Sequence, residues 1–85
     1  MPVIFRYKGF RFFFFSNEGI PLEPAHVHVR QGGASAKFWL RPEVRLADSH
    51  GFDASTLREL AGVVEKQRDL IERIWNERFG HFTSI

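Results

Sequence analysis

His26-Val27-His28-Val29-Arg30-Gln31-Gly32-Gly33-Ala34-Ser35-Ala36-Lys37-Phe38-Trp39 is the stretch that decides the fold. Two β-prone runs, His26 to Gln31 and Ala34 to Leu40, flank a Gly-Gly pair. Such a pair turns a strand back on itself in two residues. That turn fixes a register: Gln31 opposite Ala34, Arg30 opposite Ser35, Val29 opposite Ala36, His28 opposite Lys37, Val27 opposite Phe38 and His26 opposite Trp39. Successive side chains of a strand point to opposite faces. Val27, Val29, Ala36 and Phe38 therefore share one face, which reads as core. His26, His28, Arg30, Lys37 and Trp39 share the other.

Toward the N-terminus a second hairpin sorts in the same way. Val3 to Tyr7 and Phe10 to Ser16 are joined by Lys8-Gly9. With those two residues at the tip, Val3, Phe5, Tyr7, Phe10, Phe12 and Phe14 fall on one face. Ile4, Arg6, Arg11, Phe13 and Phe15 fall on the other. Residues 17–25 hold two prolines and a glycine and read as a loop. Pro42 interrupts the chain after the second hairpin, and Val44 to Leu46 reads as a short edge strand.

From Asp53 the apolar period changes to that of a helix, with Leu57, Leu60, Ala61, Val64, Ile71, Ile74 and Trp75 recurring on one side. Asp53 is the expected N-cap and Gly80 the expected stop. Asp69, Arg73 and Glu77 form i,i+4 pairs on the solvated side. The fold class is α+β: an antiparallel sheet of four to five strands, built from two β-hairpins, followed by one long C-terminal helix. The chain reads as a single domain over residues 1–85, with the sheet in 1–52 and the helix in 53–80.

A helix from Ala54 to Phe79 would run roughly 39 Å at 1.5 Å per residue, whereas strands of five to seven residues reach about 17–24 Å. The helix should overhang its sheet. The overhanging end carries Ile74, Trp75, Phe79 and Phe82, which marks it as an interface for a partner or a second copy. A bend at Gly62, the weakest helix former in the segment, would instead fold more of the helix onto the sheet.

Composition narrows the class. The chain has 85 residues and no cysteine, so disulfides and thiolate metal sites are excluded, and a core must come from its ten Phe, two Trp and one Tyr. Residues 1–52 hold seven Lys/Arg against four Asp/Glu, and residues 53–85 hold five against six. The sheet half is the basic half. No signal-peptide pattern and no run of about 20 apolar residues is present, so a cytoplasmic location without membrane association is expected.

With a helix able to cover only one face of the sheet, the second face is basic and aromatic at once. Cations for phosphate and rings for bases suit nucleic acid. Exposed Phe13, Phe15 and Trp39 equally suit a protein partner. His26 and His28, two apart on a strand, could bind metal, but the third ligands available (Glu18, Glu23, His50) are all expected in loops. The two histidines could also act as acid and base, with Lys37 or Arg30 steadying a phosphate. They could be no more than amphipathic residues of a partner-facing sheet. Trp39 and Trp75 are more often packing than recognition elements. No phosphate-binding glycine loop, nucleophile elbow or zinc-protease pattern is found, and no cofactor is implied.

The stretches Arg11-Phe12-Phe13-Phe14-Phe15-Ser16-Asn17-Glu18-Gly19, Pro24-Ala25-His26-Val27-His28-Val29 and Ala36-Lys37-Phe38-Trp39-Leu40 resemble the bacterial domain-of-unknown-function family numbered 4160. Gly51-Phe52 and the helix ending in Trp75-Asn76-Glu77 resemble its C-terminal part. That family usually has two prolines before the first histidine, where this chain has Pro24-Ala25. The resemblance implies a small bacterial or phage-borne protein. It also implies a gene neighbour of the family numbered 2442, in an arrangement that looks like a toxin–antitoxin module. By position it marks Ser16, Asn17, Glu18, His26, His28, Lys37 and Trp39, and it supplies no reaction.

Three readings follow. In one, a toxin–antitoxin-type protein meets RNA on this face, as a metal-independent ribonuclease with His26, His28 and Lys37 catalytic, or as an RNA-binding toxin. Arg11, Asn17, Glu18, Arg30 and Trp39 would then bind. In a second, a non-catalytic module pairs with a cognate small protein or with itself through Phe13, Phe15, Ile74, Trp75 and Phe79. A metal-binding protein using both histidines is a third. Whether the chain is an enzyme is not decided by its sequence.

Overall fold

The computed structural model describes residues 3–15 and 23–80. Five antiparallel strands lie in sequence order, β1 (Val3–Tyr7), β2 (Phe10–Phe13), β3 (His26–Gln31), β4 (Ala34–Trp39) and β5 (Arg45–His50). Two helices follow, α1 (Ala54–Lys66) and α2 (Arg68–Trp75), and a π-helical turn spans Asn76–Gly80. The α+β reading holds, with the helical segment in two pieces rather than one.

The β3–β4 ladder has the register that the Gly32-Gly33 turn dictates, from Gln31 opposite Ala34 to His26 opposite Trp39. Val27, Val29, Ala36 and Phe38 are all buried in the core. The β1–β2 turn also forms as expected. Lys8 and Gly9 both take positive φ (48° and 83°), the conformation that matches the twist of the flanking strands.

Farther from that turn the ladder slips. Phe5 pairs with Phe12 but Val3 pairs with Phe13, so Ile4 is an extra residue on β1. A β-bulge reverses the faces beyond it. Ile4 therefore packs on the core, and Val3 moves to the second face beside Arg11, Phe13 and Arg30, contrary to the alternation read from the turn. β2 ends at Phe13, three residues short of the expected Ser16, which lies outside the described residues.

β5 is longer than the expected Val44 to Leu46 and begins one residue later. Its sequence, Arg-Leu-Ala-Asp-Ser-His, has no clean apolar alternation, because an edge strand can be held by its ladder alone. Pairing with β4 places Asp48 opposite Lys37 and His50 opposite Ser35. Gly51 then turns the chain toward α1 with φ at +89°, its Cα hydrogens facing Ala34. A Cβ there would lie 3.0 Å from the Ala34 Cβ and 3.1 Å from its Cα. Gly51→Ala should combine backbone strain with that contact and lower stability by about 1–3 kcal/mol, read as a shift of the urea midpoint.

Asp53 caps α1 by accepting the Thr56 backbone N–H at 2.7 Å. The same bond holds its carboxyl below the usual carboxylate range. The helical path breaks at Gln67 (φ −101°, ψ 12°), not at Gly62, which stays inside α1. The ladder nevertheless continues across the break through Gln67 N–H to Val63 O and Ile71 N–H to Gln67 O. The core therefore runs from Leu60 and Val64 on α1 to Ile71 and Trp75 on α2.

Two polar contacts fasten the helices to the sheet. The Tyr7 hydroxyl donates to Glu59 Oε2 at 2.7 Å, with Lys8 Nζ 3.3 Å from the same oxygen, and together they hold the Glu59 carboxyl below its ordinary range. At the other end Arg41 grips Glu72 through two donors, one of them Nη2 to Oε1 at 2.8 Å.

The end of the helix does not project as a bare apolar tip. Phe14, just beyond β2, meets Trp75 edge-on at 5.1 Å and Phe79 at 5.8 Å between ring centroids. Trp75 and Phe79 are 4.6 Å apart, and both are buried within the chain. The surface of both, expected as a partner interface, is largely covered within the chain itself. Ile74 is half-buried beside this cluster, and Phe82 is outside the described residues. Among the described residues no helix is long and apolar enough to cross a membrane.

Candidate functional site

The helices cover one face of the sheet, and the second face carries three rows that run across the strands. The first is Arg6, Arg11, Arg30, Ser35 and His50. The second is Val3, Phe13, His28, Lys37 and Asp48. The third is His26, Trp39 and Arg45.

The middle row holds a depression. Its volume is about 160 Å³, and its chemistry comes from His28, Arg30, Lys37 and Asp48 above a wall of Phe13 and Phe15. The floor is well fixed. Phe13 is 5% exposed, lies nearly parallel to the His28 ring at 5.6 Å and meets Phe15 edge-on at 5.3 Å. Phe15 in turn meets His28 at 4.5 Å. The Arg30 guanidinium sits 5.7 Å from the Phe13 centroid, which joins this depression to a smaller one lined by Val3, Arg11, Phe13 and Arg30.

Lys37 is held from two sides. Its Nζ is 4.4 Å from the centre of the Trp39 ring and 3.5 Å from Glu23 Oε1. The ring favours the cation through its quadrupole, and the carboxylate favours it by charge. Both contacts leave the ammonium at the rim of the depression, where an anionic group could take the place of Glu23.

The histidines part company. His28 lines the depression, whereas His26 is 0% exposed. The His26 ring is packed among His28 at 5.2 Å, Trp39 at 5.4 Å and Trp75 at 4.9 Å. Its Nδ1 lies 2.9 Å from the Pro24 carbonyl. A carbonyl can only accept, so Nδ1 carries the proton and, in the neutral ring, the lone pair is on Nε2. His26 thus orients the entry to β3 and ties the sheet to α2. His26 is not among the residues lining the depression with His28 and Lys37, although its ring meets that of His28 edge-on.

Of the remaining sequence candidates, Arg11, Arg30 and Trp39 are on this face, and Asn17 and Glu18 lie outside the described residues. Phe13 and Phe15 build the wall of the depression more than an open interface. Among the described residues no group of three His, Asp or Glu side chains could hold a metal ion, and His50 lies on β5 opposite Ser35, two rows from His26. Sequence reading missed Asp48, Ser35 and Ser49 in the depression. The expected edge strand after Pro42 gave no signal for Asp48, because in register Ala47 would face Lys37; an extra residue between Leu46, opposite Phe38, and Asp48 carries Asp48 to Lys37.

No curated protein and no solved structure matches the chain. The model of one family, described as a domain of unknown function (DUF4160), matches residues 9–76, and the chain belongs to that family.

Proposed function

We propose that this DUF4160 protein is a toxin–antitoxin-type RNA-binding protein that holds RNA on the helix-free face of its sheet. The observation that carries the reading is the depression in which His28, Arg30 and Lys37 converge beside Phe13 and Phe15. Cations there can neutralise phosphate, and the half-exposed rings of Phe15 and His28, backed by the buried Phe13, can stack on unpaired bases. Cleavage through the 2′-hydroxyl would need a base and an acid near one phosphate. With His26 packed against Trp75, the depression offers one imidazole, His28, so binding is better supported than two-histidine catalysis.

Titration of a fluorescent 12-nucleotide single-stranded RNA tests this. A dissociation constant of about 1–100 μM at physiological salt is expected, weakened roughly tenfold or more by Lys37→Ala. Absence of binding up to 1 mM, on the order of ten times the weakest value expected, would sink the reading. Inducing the wild type in bacteria then addresses toxicity: growth arrest with intact total RNA fits a binding toxin, and arrest with fragmented RNA restores the ribonuclease.

A second reading has its own observation. β5 pairs with β4 alone among the described residues, and half-exposed Leu46 lies along this edge. An added strand from a cognate small protein or a second copy would complete the sheet. Protection of the β5 amides from hydrogen exchange on mixing would support it.

A further inference from the structure

Arg6, Arg11 and Arg30 stand directly opposite one another across three neighbouring strands. Like charges at opposed positions of an antiparallel pair are destabilising. Arg41 has Glu72 and Arg45 has Glu43 at ion-pair distance, whereas the helix cations Arg58, Lys66, Arg68, Arg73 and Arg78 have no ion pair among the described residues; the row differs from those in that its charges face one another. Among the described residues no carboxylate lies within ion-pair distance of any of the three. The Arg30 guanidinium gains the face of the Phe13 ring, but among the described residues no carboxylate offsets the opposed charges, which is the pattern of a site whose missing charge comes from a ligand.

We infer that this arginine row is the track for the phosphates of a single RNA strand lying across β1, β2 and β3. The inference rests on the RNA reading above and specifies its ligand. Adjacent strands are about 4.8 Å apart, so the three arginines span roughly 10 Å, a short path suited to a few consecutive phosphates. The next row, two residues along each strand, lies about 6.6 Å away and carries Phe13 and His28, with Phe15 beside them. That offset matches a strand whose phosphates rest on one row while its bases turn toward the other. Bases can turn only if they are not already paired and stacked, so a single strand is the occupant and a duplex is not. Arg30 belongs to both depressions and delivers the strand from the row to the His28–Lys37 depression.

The test compares wild type with Arg6→Gln/Arg11→Gln/Arg30→Gln, using the 12-nucleotide single strand, a 12-base-pair RNA duplex, and a series of salt concentrations. Each phosphate contact contributes about −0.7 to the slope of log affinity against log salt for a single strand, so three contacts make the wild-type slope steeper than the variant's by about 2. The duplex should bind at least about tenfold more weakly, as expected when rings need unstacked bases. In the absence of RNA, Arg11→Gln, which relieves both like-charge pairs, should keep or raise the melting temperature. Binding by the wild type with an unchanged slope in the triple variant overturns the row and leaves the RNA reading standing. No binding of either RNA by the wild type overturns both. Equal affinity for duplex and single strand overturns the choice of occupant, and a fall in melting temperature with Arg11→Gln makes the row structural.

Discussion

Trp75→Ala is expected to lower the free energy of unfolding by about 3–5 kcal/mol, the range for truncating a buried aromatic. Trp75 is 4% exposed and touches Phe14, Phe79 and His26. It is the side chain through which α2, the segment after β2 and the start of β3 meet. A domain of this size has a stability of about 5–15 kcal/mol, so the loss is a large share of the total. With roughly 4–8 °C of melting temperature per kcal/mol in small domains, the midpoint should fall by about 12–40 °C. Thermal unfolding followed by circular dichroism measures it. A loss below about 1 kcal/mol would mean that Trp75 is not the tie described here.

The second large effect separates two residues that the sequence presents as a pair. His26→Ala removes a fully buried ring and leaves the Pro24 carbonyl without its donor, which together should cost about 3 kcal/mol. His28→Ala loses ring contacts with Phe13 and Phe15 at a half-exposed position and should cost about 1 kcal/mol or less. Denaturant midpoints of the two single variants check this. Equal losses would put both histidines in one structural role. The distinction governs any functional experiment, because a protein lacking both histidines would lose activity by unfolding. His28→Ala keeps the fold and removes the imidazole that lines the depression.

The parts of the fold legible in the sequence are those with a local cause. Gly32-Gly33 fixed one register, and the alternation of Val27, Val29, Ala36 and Phe38 agreed with it residue by residue. Asp53 was legible as a cap because its side chain bonds a backbone N–H only three residues away. The bulge at Ile4 was not legible, since Val3 and Ile4 are both apolar and β-prone and either can face the core. The break at Gln67 has no glycine or proline to announce it, and Leu60, Val64, Ile71 and Trp75 keep one buried face across it.

The candidate site was legible on β2, β3 and β4 and illegible on β5 for the same reason. Arg30, His28 and Lys37 follow from alternation, whereas Asp48 faces Lys37 only because Ala47 is an extra residue in the β4–β5 ladder, and nothing in the local sequence announces that bulge. The burial of His26 is a tertiary fact. It depends on Trp75, 49 positions later in the chain, arriving at the end of β3.

A backbone and indole amide NMR titration with the 12-nucleotide single-stranded RNA decides whether the helix-free face holds RNA. Shifts are expected on one face alone, at Arg11, His28, Arg30, Lys37 and Asp48, with the Trp39 indole moving and the buried Trp75 indole staying in place. Shifts concentrated on α1 and α2, or none at millimolar RNA, on the order of ten times the weakest affinity expected, would contradict the RNA reading.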